Sequence, residues 1–183
     1  LEQFERKFAS CGFNYSAFYP CYGMAETTLF TTGGDKHQQP VIQGVLAEEL
    51  EQHSVVETEI LSPSSRVFVG CGRPYLNTTV IIVNPESLIS CKKGQVGEIW
   101  VSGESIAAGY WHRPETTKET FQAYLKDTGA GPFLRTGDLG FLQEGELFVT
   151  GRIKDVMIVR GQNYYPQDIE MTVQNSHIAL RLN

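Results

Sequence analysis

The sequence predicts an α/β chain with a β-rich unit, barrel-like or sandwich-like, in its second half. Three observations point there. From Arg66 onward, β-branched runs recur at regular spacing, set off by Gly, Pro and Asn. Two helix starts, at Pro114 and Pro166, carry Pro at the front with acidic residues close behind. The opening segment spaces its apolar residues as a helix does.

Taken in order, Leu1 to Ala9 reads as an amphipathic helix with Leu1, Phe4 and Phe8 on one face, ended by Cys11-Gly12. Phe13 to Tyr22 is aromatic-rich and is expected to run extended to the Tyr22-Gly23 turn. A short helix follows from Ala25 until Gly33-Gly34 breaks it. Residues 33–65 differ in texture. They carry Glu48, Glu49, Glu51, Glu57 and Glu59, few aromatics, and a helix-like Val45 to Gln52. Arg66 to Gly70, Thr78 to Val83 and Val96 to Ser102 read as strands, and Pro114 to Phe121 as a helix. Phe133 to Thr136, Leu139 to Leu142, Leu147 to Thr150 and Val156 to Val159 read as further strands, with Gln143-Glu-Gly-Glu146 as a hairpin turn. Pro166 to Gln174 begins another helix, its first turns holding Asp168 and Glu170 where the helix dipole favours negative charge.

A length of 183 residues suffices for one good core, or for one domain and the start of another. The formal charge of −6 argues against a nucleic-acid or membrane-surface role, since both favour basic patches. No apolar run approaches the roughly 20 residues a membrane span needs, and there is no signal-peptide layout. Cys11, Cys21, Cys71 and Cys91 are widely spaced, with no C-x-x-C pair. They are expected to be reduced, mostly buried thiols of a cytoplasmic protein. His37, His53, His112 and His177 show no metal or triad pattern and read as surface or packing residues. Trp100 and Trp111 are expected to be mainly structural, because large aromatics usually fill core space.

Two stretches carry chemistry. Tyr22-Gly23-Met24-Ala25-Glu26 lies where a strand gives way to a helix. Gly23 allows a tight turn that brings backbone amides toward an anion. Tyr22 offers a flat face for a purine, and Glu26 can reach a metal carrying phosphate oxygens. The plainer alternative is an ordinary turn with Glu26 as a cap. Further on, Asp138 sits in Thr136-Gly-Asp-Leu-Gly140. A carboxylate accepts two hydrogen bonds at once, which suits vicinal hydroxyls; it equally suits an Asx-turn. The hairpin folds Arg152, in Gly151-Arg-Ile-Lys-Asp155, back toward Asp138, as a second ligand contact or merely as a salt-bridge partner. Lys154, taken alone, is a solvated surface lysine.

These segments, with Gly97-Glu98-Ile-Trp-Val-Ser-Gly103, Ala108-Gly-Tyr-Trp111 and Arg160-Gly-Gln-Asn-Tyr-Tyr-Pro166, resemble the adenylate-forming superfamily of acyl-CoA synthetases and nonribosomal-peptide adenylation domains. Within it, the likeness is to fatty acyl-AMP ligases. The resemblance implies ATP with Mg²⁺ as cofactors, AMP as a product, a fatty acid substrate and an acyl carrier protein with its phosphopantetheine thiol as partner. It implies that Tyr22, Gly23, Met24, Ala25, Asp138 and Arg152 bind nucleotide. It further implies that Glu26 is catalytic and holds the magnesium, and that Lys154 is the hinge of a rotating small domain. Ala25 stands where the wider superfamily often has Thr, a departure acyl-AMP ligases tolerate.

By the same likeness, residues 1–153 are the C-terminal part of a large AMP-binding domain, with a distorted-barrel subdomain, and 154–183 are the hinge and the start of the small domain. Residues 33–65 resemble an insertion that hinders the arrangement used for CoA; a tolerated surface loop is the alternative. The phosphate loop that precedes the Tyr-Gly motif in the superfamily, and the lysine near the end of its small domain, do not occur here. The fragment alone is therefore expected not to catalyse adenylation. The other readings are a fatty acyl-CoA ligase and a non-catalytic nucleotide-binding or interaction module.

Overall fold

Helix α1 (Glu2–Phe8) carries acids in its first turn and Arg6 and Lys7 in its last, the order its dipole favours. In the computed structural model, which describes residues 1–160, 162–177 and 179–180, its Phe4 and Phe8 rings lie 4.6 Å apart. Phe4 also meets Phe13 and Phe18 edge-on. The run from Phe13, expected to be extended, instead folds into a 3₁₀ turn at Tyr15–Ala17, because Asn14 Oδ1 accepts the Ser16 amide. The extended residues Asn14 and Phe18 flank that turn, and the run becomes a strand at β1 (Cys21–Tyr22). The helix expected from Ala25 is a single 3₁₀ turn, Ala25–Thr27, ended by Thr28 in the left-handed region. The chain then returns antiparallel to β1 as β2 (Thr32–Gly33).

β3 (Ile42–Leu46) and β4 (Ser65–Val69) pair antiparallel, Ile42 opposite Val69 and Leu46 opposite Ser65. The helix-like Val45 to Gln52 is thereby divided. Val45 and Leu46 are taken into the strand pair, and only Ala47–Leu50 remains helical, as α2. A pairing strand overrides the local pattern here. β5 (Arg73–Pro74) adds to β2, giving the order β1-β2-β5.

The main sheet contains β6 (Thr79–Val83), β7 (Gly97–Ser102), β8 (Leu134–Gln143) and β9 (Glu146–Arg152), antiparallel in that order. Helix α3 (Pro114–Phe121) lies between β7 and β8 in the chain, with Pro at its start as expected. The two strands expected around Asp138 are one, β8, because both halves find partners on β7 and β9. The turn between β8 and β9 places Glu144 and Gly145 at φ 50° and 82°, the conformation of a two-residue hairpin loop. β10 (Met157–Val159) and β11 (Gln162–Tyr164) form a second hairpin, and α4 (Pro166–Ser176) follows. The β-rich expectation holds, but the described strands form four separate open sheets and no closed barrel. Four strands are too few to close one; barrels filled by side chains take about eight.

Three apolar clusters hold these layers. The first joins Val45 and Leu50 of the 33–65 segment to Val96 just ahead of β7, to Leu139, Phe141 and Phe148 of the main sheet, and to Tyr165 ahead of α4. The second gathers Val80, Ile82, Ile99, Val101 and Leu147, and the third Val83, Trp100, Leu125 and Phe133. Trp100 is thus the core residue expected, whereas Trp111 is 86% exposed at the end of a loop. The cysteines are free, but Cys11 and Cys21 are exposed and Cys71 and Cys91 only half-buried. Cys21 stands on the edge strand of its sheet, and no layer covers it among the described residues. Among the described residues, no helix is long and apolar enough to cross a membrane.

Candidate active site

The turn after β1 is set by Gly23. A Cβ there would stand 1.7 Å from the carbonyl oxygen of Leu29, so only glycine lets the chain double back this tightly. The Met24 carbonyl accepts the amides of Thr27 and Leu29, and the Met24 amide reaches Thr27 Oγ1. Met24 and Ala25 therefore serve as turn backbone. A single 3₁₀ turn has no appreciable dipole, so the anion-attracting helix start expected here is not formed. Across the turn the two side chains take different partners, Tyr22 meeting Asp138 and Glu26 meeting Tyr110.

Tyr22 packs against the second apolar cluster, and its hydroxyl donates to Asp138 Oδ2 at 2.8 Å. Burial, with the negative charge of Asp138 beside it, pushes the phenol above its ordinary range. Arg152 Nε donates to the other oxygen, Oδ1, at 2.8 Å. Asp138 and Arg152 are register partners on β8 and β9, which is how the hairpin unites them. The Arg152 side chain is 65% exposed, so the pair adds little to stability. Asp138 holds Arg152 more firmly protonated than usual, with its guanidinium standing at the surface.

Beneath Asp138 lies a buried support that the sequence motifs did not single out. Glu98, 2% exposed, accepts the Trp100 indole N–H at 2.9 Å, two Arg135 N–H groups at 3.0 and 2.8 Å, and the Gly137 amide at 3.1 Å. Thr136 donates to the Ile99 carbonyl and accepts the Asp138 amide. The Asp138 segment is therefore clamped to β7 by a buried carboxylate and a hydroxyl. Its one sequence signal is an acid and a Trp two apart in a strand, which places both on one face.

Glu26 is half-buried. Its Oε1 accepts the Tyr110 hydroxyl at 2.6 Å, and Oε2 takes no hydrogen bond among the described residues. Glu26, Tyr110, Arg135, Thr136, Gly137, Arg152 and Lys154 line one cavity of about 450 Å³. The structure thus brings together Tyr22, Asp138 and Arg152, and sets Glu26 and Lys154 on the cavity that Arg152 shares. Gly23, Met24 and Ala25 shape the site without lining that cavity. Lys154 is exposed, on the turn that follows β9.

Residues 1–111 match the family described as AMP-binding enzyme, and the chain belongs to that family. Similarity extends beyond the matched segment. The chain is 50% identical, over 99% of its length and 31% of the relative's, to the medium-chain-fatty-acid–[acyl-carrier-protein] ligase JamA of Moorena producens. Among solved structures, it is 46% identical to a fatty acid AMP ligase from Legionella pneumophila, with a TM-score of 0.79 over 97% of this chain and 30% of that one. A fatty acyl-adenylate ligase of the same organism, solved with acyl adenylate and pyrophosphate, gives the same identity and TM-score over 97% and 31%. The chain spans about a third of the length of these relatives.

The donor set is suited to some cations and not to others. Among the described residues, no three His, Cys, Asp or Glu side chains converge on a metal position. A zinc-type site built from three such side chains is therefore lacking among them. Glu26, with one free carboxylate oxygen on a cavity that Glu119 and Asp155 also line, does suit Mg²⁺, which takes one or two carboxylates together with substrate phosphates.

Proposed function

We propose that this chain is part of a fatty acid–AMP ligase, in which it supplies the ribose-binding and magnesium-binding side chains and the hinge. The observation that carries the reading is the Tyr22–Asp138–Arg152 constellation beside the Glu26 cavity. Asp138 offers a carboxylate to the ribose hydroxyls, exchanging the Tyr22 phenol or the Arg152 guanidinium for them. Arg152, exposed and permanently charged, faces the nucleotide's own negative charge. The Tyr22 ring supplies the aromatic surface for adenine. Similarity to ligases acting on fatty acids and carrier protein supports the substrate and acceptor.

In the first half-reaction a fatty acid carboxylate oxygen attacks the α-phosphorus of ATP. The bond from that phosphorus to the β-phosphate bridging oxygen breaks, and pyrophosphate leaves. Glu26 would hold the Mg²⁺, which when bound would supply neutralisation of the phosphate charge. In the second, the phosphopantetheine sulfur attacks the acyl carbonyl. A thioester forms, AMP departs, and the thiol proton passes to solvent. Residues 1–153 belong to the large domain in this reading, and the small domain begins at Lys154. The 33–65 segment restrains that domain: Asn163 of β11 donates to the Glu51 carbonyl at 2.7 Å and meets His53 Nε2 at 3.0 Å.

The test is Asp138→Ala in the full-length protein. Loss of a ribose-binding carboxylate is expected to cost about 2–4 kcal/mol of binding or transition-state stabilisation, a loss of about 30-fold or more. Pyrophosphate release is measured on the folded protein beside a melting curve, which should fall by the equivalent of about 1–3 kcal/mol, because Asp138 is 8% exposed and its loss leaves the Tyr22 hydroxyl without its acceptor. Near-parental turnover returns Asp138 to a turn role and removes the reading.

A further inference from the structure

Glu26 and Tyr110 lie 84 positions apart in the chain, yet the Tyr110 hydroxyl donates to Glu26 Oε1 at 2.6 Å. That is the short distance of a hydroxyl on a charged carboxylate. Tyr110 is not held there by burial, for it is 38% exposed. It is held by its neighbours. Its amide donates to Thr117 Oγ1 of α3 at 2.9 Å, and its ring meets the buried Phe121 edge-on at 5.1 Å. The same loop reaches the other side of the site, where the Ala107 amide donates to the Glu26 carbonyl at 2.8 Å and Ser105 accepts the Thr28 hydroxyl at 2.7 Å. Helix α3 and the loop before it therefore grip both the backbone and the side chain of Glu26.

We propose that Tyr110 is a positioning residue for the cation site, fixing Glu26 so that one carboxylate oxygen alone is presented to Mg²⁺. The proposal rests on the reading of Glu26 as the metal-holding carboxylate. With Oε1 occupied by the phenol, Glu26 coordinates through Oε2 as a single-oxygen ligand. That is the mode a compact octahedral ion accepts, since a two-oxygen bite distorts its geometry. Without the hydroxyl the carboxylate rotates freely about its last bond, and each binding event must first order it. Partners that orient a metal's ligands commonly contribute 10- to 100-fold in affinity.

The experiment uses the full-length enzyme and its Tyr110→Phe and Glu26→Gln variants. Mn²⁺ binding is titrated by electron paramagnetic resonance in the presence of a non-hydrolysable ATP analogue, and the Mg²⁺ dependence of pyrophosphate release is followed alongside. For Tyr110→Phe the expected result is Mn²⁺ affinity lower by about tenfold. The Mg²⁺ concentration for half-maximal rate should rise by a similar factor, with turnover recovering at high Mg²⁺. AMP affinity without metal and the melting temperature should be those of the parent, because only a surface hydroxyl is removed. A structural role alone predicts no rescue by metal. If Glu26→Gln loses Mn²⁺ binding while Tyr110→Phe binds as the parent does, the positioning role is overturned and the reading of Glu26 stands. If Glu26→Gln itself binds Mn²⁺ as the parent does, the reading of Glu26 falls, and the proposal falls with it.

Discussion

At the scale of single residues, the site depends on atoms that leave no room for a substitute. At Gly23, an added Cβ would meet the Leu29 carbonyl oxygen at 1.7 Å and its carbon at 2.7 Å. Both are backbone atoms, and Leu29 and the preceding Thr28 already sit at φ 87° and 56°. Gly23→Ala in the full-length protein should therefore destabilise it by about 1–3 kcal/mol, the usual cost of overpacking. It should also weaken AMP binding in the fraction that folds, because the turn sets Tyr22 and Glu26 at once. Urea unfolding with AMP titration measures both. Parental stability in this variant would falsify the close-approach argument. The motifs singled out Tyr22, Glu26, Asp138 and Arg152 as candidates, three of them directly beside a glycine and Glu26 three residues after Gly23. Tyr110 and Glu98 were quoted only inside longer strings. Their importance lies in partners 84 and 37 positions away, which no local pattern encodes.

Among elements, the most informative contact lies between the 33–65 segment and the β10–β11 hairpin. Val45 and Leu50 are fully buried in one cluster with Tyr165, so the segment is packed down, although Val41 remains 44% exposed. Asn163 is 7% exposed, and its amide is engaged by Glu51 and His53. Asn163→Ala leaves the half-buried Glu51 carbonyl and the imidazole without that donor, a cost of about 1–3 kcal/mol. Hydrogen exchange of the β10 and β11 amides should then speed up by about 5- to 150-fold, with the β6–β9 sheet unaffected. Unchanged exchange in the hairpin would show that the segment does not restrain it. Burial holds the His53 imidazole below its ordinary range, so the neutral ring is the folded form. Its contribution to stability is thus present above the free-imidazole range, near about 6.5. It is lost as pH falls through the lower folded value. The same exchange should therefore quicken on mild acidification.

For the whole molecule, the question is whether the segment after β9 moves as a unit. Lys154 is exposed, between a long paired strand and a short hairpin, where a backbone rotation disturbs few contacts. In the full-length enzyme, Lys154→Pro fixes φ near −65° at the proposed pivot. Acyl-AMP formation in the resting arrangement should stay within about threefold of the parent, while transfer to the phosphopantetheine thiol should fall by more than about tenfold, since about 1.4 kcal/mol against the second arrangement suffices. Quantifying both products by mass spectrometry separates the steps. Equal loss of both, or of neither, removes Lys154 from the hinge role.

The sequence by itself determined the order and kind of most elements, because β-branched runs, Pro at helix starts and a two-residue turn act over a few neighbouring residues. It likewise marked Tyr22, Glu26, Asp138 and Arg152 as candidates for a nucleotide site, through the resemblance that their motifs carry. Tertiary structure alone decided three things. It divided Val45 to Gln52 between strand and helix, because β4 offered a pairing partner that helical periodicity does not register. It left the main sheet open instead of closing a barrel, because closure depends on strand number and tilt and not on the spacing of strands in the chain. It set the Tyr110 hydroxyl on Glu26 and four N–H groups on Glu98, because side chains remote in sequence meet only after the backbone has been folded around them.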